Sequence, residues 1–243
     1  MTADDFKLIG PHLVREPLSR LDRLARPNES IDQIYFPEGT VVSIVAIGPG
    51  TCRTEVGILG REGMSGVAVL LGTEQTPLET YVQVGSATAL GLPTATLLAA
   101  VEASPTLRTL LLRYAHVQSI QVASALSTMA AFSIDRRLAR WLLMCHDRLD
   151  GDEIAITHEF MGMMLGSRRA GVTEALHMLE GNGLVRSNRG LVVVLDRPGL
   201  KTLAGDSYGS AENEYRRLIG PMPRDSTNGK LTGGMTGEAE ATS

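Results

Sequence analysis

Cysteine is nearly missing from this chain of 243 residues, and no apolar run is long enough to cross a bilayer. The familiar catalytic signatures are absent as well. Each shortage closes off a class of protein. Cys52 and Cys145 lie far apart and lack CxxC spacing, which argues against an iron–sulfur cluster, a structural zinc site or a disulfide framework. They read as free thiols in a reducing cytosol, with redox sensing at Cys52 as the one alternative. There is no P-loop, no GxSxG and no HExxH, and His158-Glu159 lacks the second histidine of a zinc hydrolase. A non-enzymatic protein without cofactor or metal is the expectation. His12, His116, His146, His158 and His177 are scattered, and each reads as an ordinary surface or core residue. The opening MTADDFKLIG is acidic and has no basic-then-apolar leader, so a cytoplasmic location away from membranes is expected.

A surplus of positive charge is lacking too, since the formal net charge is −4. Phosphate binding, however, depends on clustered arginine and lysine, so distribution matters more than the total. From Ser167 to Lys201 there are six basic residues (Arg168, Arg169, Arg186, Arg189, Arg197, Lys201) against three acidic ones (Glu174, Glu180, Asp196). This segment is a basic island in an acidic chain. The length suits one large domain or two small ones, and two is the starting assumption.

From about Ile31 to Pro93 the chain is rich in β-branched residues, alternates apolar and polar positions, and is punctuated by turns such as Pro37-Glu38-Gly39 and Gly48-Pro49-Gly50. That pattern predicts a β-sandwich or β-roll. Tyr81 to Leu92 reads as two strands broken at Gly85-Ser86. After Pro93 the period changes. Thr94 to Ala103 reads as a short helix, and Ser104-Pro105 supplies an N-cap and a first-turn proline for a second helix that runs unbroken to about Ala131. On heptad a/d spacing this long helix carries Leu107, Leu110, Tyr114, Val117, Gln121, Ser124, Thr128 and Ala131. Leu112, His116, Ile120, Ala123 and Leu126 or Ser127 make a second stripe. Two packing faces predict that one covers the β-domain and the first-named stripe forms a parallel two-helix dimer seam; burial of the whole helix inside one monomer is the alternative. A hinge is expected around Phe132-Ser133, ahead of a helix from Arg136 to about Leu149. From about Met222 the Gly/Ser/Thr-rich sequence predicts a disordered tail.

The region from Ile154 to Leu195 carries the strongest functional signal. Ile154-Ala155-Ile156 reads as a short strand, and Thr157 caps a helix from Glu159 to Met164. Leu165-Gly166-Ser167 makes a tight turn, and a second helix from Arg168 to about Gly181 buries Val172, Ala175, Leu176 and Leu179. Its first turn presents Ser167, Arg168 and Arg169, with Thr173 and Glu174 one turn on. In helix-turn-helix docking the start of the second helix meets base edges, where arginine can fork to guanine. Leu184-Val185-Arg186 and Leu191 to Leu195 then flank Ser187-Asn188-Arg189-Gly190, a β-hairpin wing whose Arg189 is placed to touch the DNA backbone. A winged helix used for protein contacts is the rival reading. In that case the protein would be an effector-sensing adaptor, and Arg168, Arg169 and Arg189 would be dispensable.

The run LGSRRAGVTEALHMLEGNGLVRSNRGLVVVLD resembles the Crp/Fnr superfamily of bacterial transcription regulators, and IYFPEGTVVSI and GREGMSG resemble the β-roll of one of its branches. The resemblance spans nearly all of residues 31 to 204. It implies an α+β chain with an N-terminal cyclic-nucleotide-binding-like β-roll (double-stranded jelly roll, residues 1–103), a long dimerisation helix (104–132) and a C-terminal winged helix-turn-helix (133–220), followed by the tail (221–243). The family's reading positions fall on Arg169, Ala170 and Glu174, with Thr157, Ser167, Arg168, Thr173 and Arg189 as further DNA contacts. Ala170 and Glu174 depart from the glutamate and arginine of the best-known member, so its operator does not transfer. In the sensor the Gly-Glu pair that holds a ribose falls on Gly66-Val67, and the phosphate-binding arginine falls near Leu78 or Glu79. These departures predict that cyclic AMP does not bind. The implied partners are double-stranded DNA in an inverted-repeat operator, a second copy of the chain, RNA polymerase, and an effector of unknown identity or none.

Overall fold

In the computed structural model, which describes residues 1–85 and 87–225, the N-terminal strands form two antiparallel sheets that face each other. One holds β1 (Val14–Leu18), β7 (Ala87–Pro93) and β3 (Gln33–Pro37) in the order β1-β7-β3. The other holds β2 (Arg23–Ala25), β6 (Glu79–Val84), β4 (Val41–Ile47) and β5 (Arg53–Leu59) in the order β2-β6-β4-β5. Leu18 and Ala89 from the first sheet and Leu24, Val42, Ile44, Leu59 and Val82 from the second close the space between them. This is the β-roll expected from the strand pattern. Ahead of it lies a helix that the strand-based reading does not include, α1 (Ala3–Ile9), started by a capping box in which Thr2 and Asp5 exchange bonds. The apolar run after Gly63 folds as a short 3-10 helix, Val67–Leu71.

Alternation fails in the four-stranded sheet. All six residues of β6 and the first five of β4 are buried, because the C-terminal half covers the outer face. The core around α4 (Ile134–His146) takes in Val41, Ile58 and Val84 from the roll. Strands covered on both sides lose the in/out period by which half-exposed strands are recognised.

Helix α2 (Thr94–Ala103) and α3 (Pro105–Ala131) have the expected bounds. The Ser104 side chain accepts from Leu107 N and Pro105 fills the first turn. Among the described residues no single helix is long and apolar enough to cross a membrane. The assignment of α3's faces needs correction. Leu107, Tyr114, Val117, Gln121 and Thr128 of the expected seam are buried within their own subunit. Tyr114 passes so close to Gly63 that a β-carbon there would collide with its ring. Gln121 Oε1 accepts from Ile58 N at 2.6 Å, satisfying an amide on the edge strand β5 that would otherwise be buried without a partner. The polar residues in the second half of that stripe therefore serve the roll. The large apolar residues left facing solvent are Leu112, Val122, Leu126 and Met129, a stripe that shares only Leu112 and Leu126 with the second expected one.

Beyond α4 come β8 (Glu153–Ile154), α5 (His158–Met164), α6 (Arg169–Gly181), β9 (Val185–Asn188), β10 (Leu191–Val194), α7 (Arg197–Ala204) and α8 (Ser210–Leu218). Helix α8 turns back onto the N-terminal half. Tyr215 and Met222 join the core around α3, and Tyr215 Oη donates to Glu62 O at 3.0 Å. Residues 205–225 thus span both halves, which a single C-terminal domain ending at residue 220 does not anticipate. Within the tail expected from residue 221, residues 222 and 224 are held by the fold: Met222 is buried and Arg224 donates to His146 O and Gly151 O. Its remainder, 226–243, lies outside the described residues.

Candidate nucleic-acid interface

Three short elements and a hairpin assemble the site. Thr157 sits in extended conformation and its hydroxyl accepts from Phe160 N, capping α5; removing such a cap costs about 0.5–2 kcal/mol. Gly166 follows with φ +55°, a left-handed conformation that glycine adopts without strain, and Ser167 N returns to Gly162 O at 2.9 Å. Helix α6 opens at Arg169 with Arg168 as its N-cap residue, one position later than expected. Val172, Ala175, Leu176 and Leu179 face inward as the period requires. Strands β9 and β10 pair from Asn188↔Leu191 to Val185↔Val194, leaving Arg189-Gly190 as a two-residue turn with Gly190 at φ +76°. Strand β8 adds to β10, making a three-stranded wing, and Glu180 on α6 accepts from Ser187 N at 2.6 Å, holding the wing to the helix.

Arg168, Arg169, Ala170, Glu174 and Arg189 are exposed, as is Arg186 on β9, which motif-based reasoning counts in the basic island without assigning it to the site. Among the described residues none of these four arginines has an ion-pair partner. Many of the other arginines are ion-paired, as for Arg15 with Glu38 and Arg148 with Glu62; Arg20, Arg108 and Arg113 are exposed without an ion pair among the described residues, but they are not grouped on one edge of the helix-turn-helix. Thr173 is turned inward, its hydroxyl donating to Arg169 O and lying 3.2 Å from His158 Nδ1; it positions the helix more than it presents a donor. Ser167 is half-buried in the turn. Arg197 leaves the basic island altogether: its guanidinium is tied to Asp147, Tyr208 and His146.

The helix-turn-helix is braced against the β-roll. Phe160 of α5 meets Tyr81 edge-on, with ring centroids 6.4 Å apart, and the Arg20 guanidinium lies 4.7 Å above the Phe160 ring. Trp141 Nε1 of α4 donates to Glu55 Oε1 at 2.8 Å, and Ser43 Oγ donates to Glu55 Oε2 at 2.6 Å. Burial pushes the Glu55 carboxyl up to about 7, against the opposing pull of those two donors and of Arg140 and Arg148. In the β-roll, Glu79 is buried and paired with Arg23 at 2.9 Å and with Arg53.

A β-roll, a long helix and a winged helix-turn-helix with an exposed basic edge define the architecture, and likeness to known proteins narrows it. Residues 136–203 match the family model of the Crp-like helix-turn-helix domain. In fold the chain is similar to a putative Crp/Fnr-family transcriptional regulator from Eubacterium rectale (TM-score 0.65, 18% identity, covering 84% of this chain and 95% of that one). It is similar also to a CRP-family transcriptional regulator from Thermus thermophilus (TM-score 0.65, 19% identity, 80% and 99%). A third likeness is to a c-di-GMP-responsive global regulator from Xanthomonas campestris (TM-score 0.60, 16% identity, 80% and 100%). No curated protein matches the chain. Residues 136–203 thus match a Crp-like helix-turn-helix domain, and the fold of the chain is similar to that of proteins described as Crp/Fnr-family regulators.

Proposed function

We propose that the protein is a sequence-specific DNA-binding transcription regulator that acts as a homodimer on an inverted-repeat operator, with half-sites about one helical turn apart. The observation that carries this reading is the cluster of four exposed arginines that have no ion-pair partner among the described residues, two at the start of α6 and two on the wing, in a chain whose net charge is −4. Arg169 is the base reader, supported by its place in the first turn of α6; Arg186 and Arg189 are phosphate contacts on the wing. Helix α3 supplies the dimer seam through its exposed stripe. Leu112, Ala115, Ser119, Val122, Leu126 and Met129 repeat at alternating intervals of three and four, the spacing of a two-helix coiled coil. Leu126 is 71% exposed, a large apolar side chain that a lone subunit would leave in water.

The β-roll does not take cyclic AMP on this reading. A cyclic phosphate entering at the usual place would face the buried Glu79 carboxylate, whose two arginines are already engaged. Fluorescence anisotropy on promoter duplexes at several salt concentrations tests the function. Sequence-dependent affinity that weakens with salt is expected; equal affinity for every sequence, or none, would remove specific regulation and leave the winged helix as a protein-contact surface. Leu126→Asp should convert the dimer to monomer in sedimentation, and a variant that stays dimeric would rule out the seam.

A further inference from the structure

A cavity of about 360 Å³ opens inside the N-terminal core, away from both the arginine edge and the interior of the roll. Its walls come from elements distant in sequence: Phe6 of α1, Phe36 of β3, Leu110 and Tyr114 of α3, and Tyr215 and Ile219 at the end of α8. Protein interiors seldom keep voids larger than a water molecule, because the lining atoms lose dispersion contacts that nothing replaces. This space falls in the range of roughly 300–1,000 Å³ typical of small-molecule sites. An apolar cavity of about 150 Å³ already takes up benzene from water.

The lining also restricts what can enter. Its charged side chains, Arg61 and Glu62, are engaged elsewhere: Arg61 with Asp150 at 2.8 Å and Arg148 O at 3.1 Å, Glu62 with Arg148 at 2.6 Å and Gly60 N at 3.1 Å. Neither offers a counter-charge to a ligand. Tyr215 Oη is committed to Glu62 O, whereas Tyr114 Oη makes only a 3.5 Å approach to Met64 O. That hydroxyl is a neutral polar handle, suited to an ether, hydroxyl or carbonyl oxygen. Exposed Phe6 and Met1 stand at the solvent side of the cavity and give a ligand a way in.

From this geometry we infer that the cavity is a binding site for an uncharged, apolar small molecule carrying at most one or two hydrogen-bonding oxygens. An occupied cavity holds α1, α3 and α8 together. On the regulator reading it also has a route to the DNA-binding half, because the Glu62 that lines it is ion-paired with Arg148 beyond the end of α4.

The test uses the full chain without DNA, so it stands or falls separately from the regulator reading. N-phenyl-1-naphthylamine, a neutral apolar fluorophore, should bind saturably at one per chain with a rise in emission. Leu110→Trp and Ile219→Trp fill the cavity from opposite walls and should each weaken binding at least tenfold with unchanged far-UV circular dichroism. Leu71→Ser, at an exposed apolar residue outside the cavity, should leave binding as it is. In the unmodified protein 1-decanol should displace the probe, and decanoate should do so at least tenfold more weakly. Absence of saturable binding would overturn the proposal. So would equal binding by folded Trp variants, or displacement by decanoate as effective as by decanol.

Discussion

The two ends of this molecule treat charge in opposite ways. In the β-roll and its contact with α4, ionised groups are buried and neutralised inside the subunit: Glu79 by Arg23 and Arg53, Glu62 by Arg148, and Glu55 by hydrogen bonds and a raised pKa. On α6 and the wing, Arg168, Arg169, Arg186 and Arg189 are exposed and have no such partner among the described residues. An interior that supplies its own counter-ions has little left to grip an anionic ligand. A surface that supplies none is open to a polyanion. The same residue type is thus a structural bolt at position 148 and, at position 169, an exposed side chain for which base reading is proposed.

The comparison can be broken first at the bolt. Arg148 and Glu62 are each 3% exposed in their side chains, so Arg148→Met should leave a buried carboxylate without its partner. Urea denaturation should show a loss of about 3–5 kcal/mol. A loss near zero would mean that the interior is not organised around its own ion pairs.

The next largest effect is pH-dependent. With the folded pKa of Glu55 raised to about 7 from its ordinary value of 4.5, the native state holds a proton that the unfolded state releases between those values. Stability from this group is therefore fully present below about pH 4.5 and is lost as pH rises through about 7, by about 3 kcal/mol in total. Buried His146, whose pKa is lowered chiefly by desolvation, pulls the other way in part of that window. The clean observable is the difference between the wild type and Glu55→Gln, which keeps an oxygen for Trp141 and Ser43. That difference should narrow in the substitution's favour as pH rises from 4.5 to 7 and be flat above it.

At the other end, Arg169→Ala should cost on the order of 1–3 kcal/mol against the preferred operator and relax discrimination at one base pair. Arg189→Ala is the smallest effect. It should weaken all duplexes alike and lower the slope of log affinity against log salt by about 1, as expected for one phosphate contact. If the two variants behaved identically, the division between helix and wing would fail.

Much of this was legible in the sequence, for local reasons. Ser104-Pro105 and the absence of glycine and proline as far as Ala131 fix α3 to its observed bounds. Gly166, Arg189-Gly190 and the inward period of Val172, Ala175, Leu176 and Leu179 place the helix-turn-helix and the wing. The misses are tertiary. Both stripes of α3 mix apolar and polar residues, so only docking against β5, with Gln121 bonded to Ile58 N, decides which one is buried. Strand β6 shows no alternation because a second half of the molecule covers it. Strand β1 contains Pro17, which suits an edge strand but obscures the β pattern. Arg197 looks like part of a basic island until the fold brings Asp147 and Tyr208 to it. Periodicity and caps report what a segment can do alone; partners fifty residues away are invisible to them.

Selection of bound duplexes from a random DNA pool probes the central claim most directly, since it reads the arginine edge and the dimer together. The enriched sequences should share an inverted repeat whose halves lie about one helical turn apart, and enrichment should disappear for Arg168→Ala/Arg169→Ala. A pool that stays random with folded wild-type protein, or an enriched motif that the double variant still selects, would contradict the assignment of α6 as the reader of DNA.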